Sequence, residues 1–202
     1  MTPQDTIELA GLPLLNWLHE PVPVEVADEE ITLHASARTD WVTSPLTGDR
    51  SLNASALVFP AADDYVLSAR VSVSFTDTFD AGVLIAYQDE QSWAKLCFEY
   101  SPQRQPMVVS VVTRGESDDC NSVELDRDWV YLRMARHGHA FILHYSLDGQ
   151  YWHFVRLFAL GLAGTLTKTG FLAQSPFGNG VTARFSELSY DQRVIADIRS
   201  GE

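Results

Sequence analysis

The stretch Trp93–Thr113 reads W-A-K-L-C-F-E-Y (93–100), then S-P-Q-R-Q-P (101–106), then M-V-V-S-V-V-T (107–113). Two runs rich in β-branched and aromatic residues flank a six-residue turn with proline at its second and last positions, which predicts a hairpin. A period of two puts Trp93, Lys95, Cys97 and Glu99 on one face of the first strand and Ala94, Leu96, Phe98 and Tyr100 on the other. The second face predicts core. The first carries two opposite charges among apolar neighbours, unusual for a strand in mid-sheet. Lys95 and Glu99 lie roughly 13 Å apart along the strand at about 3.3 Å per residue. They cannot pair directly, so each needs a cross-strand partner, a ligand or water.

Outward from this hairpin the same period recurs. Tyr65–Phe75 alternates apolar residues with Ser and Arg, and so has one face in water; Ala81–Tyr87 is apolar on both faces and is therefore central. Trp129–Arg136, Ala140–Ser146 and Tyr151–Phe158 form a meander that turns at His137-Gly138-His139 and at Asp148-Gly149. Gly161–Thr169 is a loop, Gly170–Ser175 a strand, and Val181–Leu188 the last strand region. Two polar segments read as loops: Arg38–Asn53, with Trp41 plugging the end of a core, and Arg114–Asn121. About a dozen strands without a long helix or a repeat predict an all-β, antiparallel two-sheet sandwich. One domain over residues 1–190 is expected, followed by a polar tail, 191–202, that forms at most a frayed helical turn.

The net charge of −13 and the lack of a basic stripe argue against a nucleic-acid or anionic-membrane partner. Residues 1–20 show no positive n-region with a long apolar core, so no signal peptide is expected. No apolar run reaches the roughly 18 residues of a membrane span. Cys97 and Cys120 imply no disulfide framework, and a cytoplasmic protein with reduced thiols is the expectation.

Five blocks carry a resemblance: F-D-A-G-V-L-I (79–85), S-W-A-K-L-C-F-E-Y (92–100), S-V-V-T-R-G-E-S-D (110–118), Y-S-L-D-G-Q-Y-W (145–152) and Q-S-P (174–176). In this order, over about residues 14–190, the chain resembles the family that includes the regulation-of-enolase protein, in the concanavalin A-like lectin/glucanase superfamily. One departure is Asp119, where that family often has an aromatic residue. The resemblance implies a concanavalin A-like jelly roll with one concave face, and no established activity.

Candidate chemistry is sparse. Jelly-roll glucanases set three acids on one strand face as E-x-D-x-x-E, and glycoside hydrolysis needs two carboxyls about 5–9 Å apart. The nearest match, Glu116 to Asn121, lacks the last acid and sits in the expected loop. His137 and His139 flank a glycine with no acid at ligand spacing, so no metal site is expected. No phosphate loop, dinucleotide fingerprint or other cofactor motif occurs, and no cofactor is expected. The face of Lys95 and Glu99 remains. One arrangement is a salt-bridge network in which Arg133 or Arg136 opposes Glu99 and Asp80 opposes Lys95. In the other, Trp93, Lys95, Glu99, Tyr131 and Arg133 line a concave groove, where aromatic faces stack on sugar rings and charges bond hydroxyls. The leading expectation is a non-enzymatic, lectin-like module for a carbohydrate or another small polyhydroxylated or anionic ligand. A cytosolic protein-interaction factor acting on a metabolic enzyme, and an unrecognised glycoside hydrolase, are the alternatives.

Overall fold

The computed structural model describes residues 6–161 and 164–202; residues 1–5, and 162 and 163 of the expected 161–169 loop, lie outside the described residues. Seventeen strands follow in chain order among them: β1 (Thr6–Ile7), β2 (Leu15–Leu18), β3 (Val24–Ala27), β4 (Glu30–Ser36), β5 (Trp41–Thr43), β6 (Arg50–Leu52), β7 (Ala56–Pro60), β8 (Asp64–Val73), β9 (Ala81–Asp89), β10 (Ser92–Tyr100), β11 (Pro106–Arg114), β12 (Glu116–Glu124), β13 (Trp129–His137), β14 (Ala140–Ser146), β15 (Trp152–Ala159), β16 (Lys168–Gln174) and β17 (Gly180–Asp191).

The opening hairpin is β10–β11, in register from Ser92 opposite Arg114 to Tyr100 opposite Pro106. It lies in an eight-stranded sheet of order β1-β2-β7-β16-β9-β10-β11-β12; a seven-stranded sheet, β15-β14-β13-β8-β17-β4-β3, packs against it. All pairings are antiparallel. This is the all-β, antiparallel two-sheet sandwich that the alternation predicts, in the concanavalin A-like jelly-roll form that the resemblance implies. Ala94, Leu96 and Phe98 of β10 meet Leu67, Ala69, Val71, Leu132, Met134 and Phe185 of the facing sheet in one buried cluster. Strand β16 threads between β7 and β9, and Gly170 is what lets it. A Cβ there would stand 2.0 Å from the Leu57 carbonyl oxygen, far inside contact distance, so only glycine fits.

The structure corrects two expectations, both of them loops. The segment 38–53 is not an end plug. It contains the hairpin β5–β6, which lies over the outer face of the eight-stranded sheet and buries a second cluster with Val83, Ile85, Trp93, Cys97 and Val109. Trp41 anchors it: the indole N–H donates to the Ala54 carbonyl at 2.7 Å, and the ring makes edge contacts with His19, Tyr87 and Trp93 at centroid distances of 5.4, 5.5 and 5.6 Å. Segment 114–121 is not a loop either. Gly115, at φ +83°, makes a tight turn, and β12 follows as a polar edge strand whose exposed acids show no alternation because almost all of it is wet. The tail after β17 forms a hydrogen-bonded turn closed by Gly201 N–H to the Asp197 carbonyl. It lies against the outer face of the seven-stranded sheet, where Ile195 joins Val66, Ala135 and Ile142.

Candidate functional site

Between the Asp40–Val42 end of the roof and the sheet below lies a cavity of about 180 Å³. Its polar lining is Asp40, Lys95, Glu99, Asp119, Asn121 and Gln174; Phe79, Val109 and Val111 supply apolar wall. The sheet explains the grouping. Lys95 stands opposite Val111, and Val111 opposite Asp119, so residues of β10, β11 and β12 share a face. Gln174 ends β16 opposite Ala81 of β9, which is opposite Glu99.

Lys95 is 3% exposed. Its ammonium donates to Gln174 Oε1 at 2.9 Å and to Asp40 Oδ1 at 3.3 Å. Burial pulls its pKa down, and the nearby acidic groups, Asp40 foremost with Cys97 and Glu99 adding to it, more than offset this, leaving the pKa above its usual value. Asp40 is held in turn by the Trp41 backbone N–H, 2.7 Å from the same oxygen. Glu99 differs. It is 9% exposed, lines the cavity, and has no hydrogen-bond or ion-pair partner among the described residues. Burial raises its pKa to about 8, Lys95 working against the shift and Asp40 and Asp119 adding to it. Asp119, on the exposed rim, is raised chiefly by partial burial. The Cys97 thiol, buried beneath these groups, is pushed well up by desolvation and is an inert packing group.

The wall residue Phe79 sits at φ +66°, a conformation a bulky side chain rarely holds. It persists because the turn around it is over-determined. Buried Asp80 accepts hydrogen bonds from Thr76 N–H, Thr76 Oγ1, Asp77 N–H and Ser175 Oγ, and Phe79 N–H donates to the Tyr100 carbonyl at 2.7 Å. Gln174 Nε2 donates to the Phe79 carbonyl at 3.4 Å, tying the wall to the residue that holds Lys95. Phe177, 57% exposed, meets Phe79 at 5.7 Å and extends the aromatic surface outward.

Of the six residues singled out in the sequence, Lys95 and Glu99 line the cavity, and Trp93 shares their face beneath the roof, packed on Trp41. Asp80 is one turn away and builds the wall; Lys95 pairs with Asp40 instead. Tyr131 and Arg133 belong to the other sheet and share no groove with Glu99. Tyr131 donates to Glu187 at 2.6 Å; Arg133 donates to the Gly201 carbonyl at 2.6 Å and lies over Trp152. Arg136, the other proposed partner, pairs with Asp63 at 3.1 Å. The reason is topological: Arg133 or Arg136 could oppose Glu99 only if β13 ran beside β10, whereas it faces β10 across the core. Asp40, Asp119, Asn121, Gln174 and Phe79 were missed as site residues. The acid at 119, where the resemblance departs, and the blocks F-D-A-G-V-L-I and Q-S-P, which hold Phe79 and Gln174, gave a signal; Asp40 and Asn121 gave none.

Residues 17–193 match the family described as "Protein of unknown function (DUF1349)". The chain belongs to this family. No curated protein matches the sequence. Among solved structures, a functionally unknown protein from Saccharomyces cerevisiae is similar with a TM-score of 0.82 at 24% identity, over 89% of this chain and 97% of that one. The GH43 protein BlXynB from Bacillus licheniformis is similar at TM-score 0.65 and 16% identity, over 82% of this chain; the match spans only 33% of that chain. A legume lectin-like domain from Entamoeba histolytica gives 0.55 at 10% identity, over 88% and 89%. At these identities the likeness of the DUF1349 chain to them shows a shared β-sandwich fold alone.

Proposed function

We propose that this DUF1349 protein is a non-enzymatic, lectin-like binding module whose cavity beneath the β5–β6 roof takes a small polyhydroxylated ligand, a single sugar ring. The observation that carries the reading is the cavity itself, where fixed polar groups converge beside an aromatic wall on the outer face of a lectin-type sheet. Side-chain amide, ammonium and carboxyl groups serve hydroxyls, and Phe79 with Phe177 offers a stacking surface. At about 180 Å³ the space falls below the roughly 300–1,000 Å³ of pockets for drug-sized ligands. It suits one ring better than the two that flank a bond to be cleaved, which favours binding over hydrolysis.

The test is a monosaccharide and disaccharide array probed with labelled protein, followed by calorimetric titration of each hit. Binding to at least one monosaccharide is expected, with loss of about tenfold or more in Phe79→Ala. Silence across the array, or undiminished binding by Phe79→Ala, would reject the assignment. Release of reducing sugar from any disaccharide would replace it with the hydrolase alternative.

A further inference from the structure

The cavity is unbalanced in charge. Three carboxyl groups, Asp40, Glu99 and Asp119, face one ammonium, Lys95. Lys95 is already committed to Asp40 and Gln174, so it has little to offer an incoming anion. Glu99 is nine-tenths buried, opens onto the cavity and is unpartnered among the described residues. A buried carboxyl without a counter-charge is costly, and proteins ordinarily pair such groups. Among the described residues no cation is free to do so: the neighbouring strands present Ala81 and Met107 opposite Glu99. Beyond it on β12 stand the acid Asp119 and the amide Asn121. The missing partner is therefore expected to arrive with the ligand.

We infer, on the reading that the cavity binds a single sugar ring, that its ligand is an amine-bearing sugar whose protonated amino group pairs with Glu99 while its hydroxyls meet Asn121, Gln174 and Asp119. An anionic ligand would enter a field dominated by carboxylates, so that half of the sequence-based expectation is not favoured. A neutral sugar would leave Glu99 a protonated acid. The amine lets it ionise. Binding then expels the proton that burial and the charges of Asp40 and Asp119 hold on Glu99 against Lys95.

Titration calorimetry at pH 6.5 with glucosamine, glucose, glucuronate and calcium chloride tests this, each run in two buffers of different ionisation enthalpy. Glucosamine should bind at least tenfold tighter than glucose, releasing close to one proton, with glucuronate and calcium giving no heat beyond dilution. Glu99→Gln, which mimics the protonated acid in shape and so should fold, should bring glucosamine down to the level of glucose and abolish proton release. Asp119→Asn, on the exposed rim, should weaken the preference without abolishing it. Equal affinity for glucose and glucosamine, a preference that survives in Glu99→Gln, or tight calcium binding would each overturn the inference and leave the sugar-binding proposal standing. No binding of any sugar here or on the array would remove both.

Discussion

Lys95 and Arg133 are cations buried on strand faces turned away from the main core, and the fold treats them oppositely. Lys95, under the β5–β6 roof, has a carboxylate at 3.3 Å, a side-chain amide at 2.9 Å and a cavity beside it. Arg133, under the C-terminal tail, has no carboxylate partner among the described residues. It is held by the Gly201 carbonyl and by the face of Trp152, 3.5 Å from the ring centroid, and its Nε lacks a hydrogen-bond partner. Accordingly the pKa of Lys95 is raised, while burial, with the charge of Arg193 adding to it, lowers that of Arg133 to about 10. Carbonyl dipoles and an aromatic face can seat a guanidinium, which is more weakly hydrated than an ammonium. A compact ammonium needs a counter-charge. The Arg133 arrangement closes a surface; the Lys95 arrangement leaves charged groups around an opening.

The sharpest way to break this contrast is to remove the counter-charge. Asp40→Asn keeps the side chain's size but strands Lys95, and it should cost about 3–5 kcal/mol in urea unfolding at pH 7. Lys95→Met added to it should recover much of the loss. A cost below about 1 kcal/mol would mean that Asp40 does not neutralise Lys95.

Next in size is the pH response of the unpartnered acid. Glu99 has a folded pKa of about 8 against an ordinary 4.5, so between these values the unfolded chain gives up a proton that the folded one keeps. Stability should therefore fall as pH rises through this window and level off above about 8. The difference between wild type and Glu99→Gln should change by on the order of 2–4 kcal/mol from pH 4.5 to 8.5, each pKa unit being worth about 1.4 kcal/mol. A difference that stays flat with pH would place Glu99 in water.

The smallest effects belong to the tail side. Arg133→Met removes a buried charge with no counter-charge to strand, so it should cost no more than about 1.5 kcal/mol. Combined with Glu99→Leu, on the opposite sheet, it should be additive within about 0.5 kcal/mol. Coupling above about 1 kcal/mol would show that the two outer faces communicate through the core.

The sequence by itself determined most of the core strands, their faces and the sandwich, though not β5, β6 or β12, which lie in segments that read as loops. Alternation is a local property, and Ala94, Leu96 and Phe98 against Lys95, Cys97 and Glu99 can be read from nine consecutive residues. It also marked Lys95 and Glu99 as needing partners, because two charges on one face of one strand cannot satisfy each other at that spacing. Which partners they received was decided only by the tertiary structure. Asp40 is 55 residues from Lys95 in the chain and Gln174 is 79, and each reaches it through strand order and through the folding-back of a polar segment over the sheet. Nothing in a period of two carries that order, so Arg133 looked like a neighbour and proved to lie across the core. Position 119 was wet, acidic and unpatterned, and only the placement of β12 as the edge strand brought it to the cavity's rim.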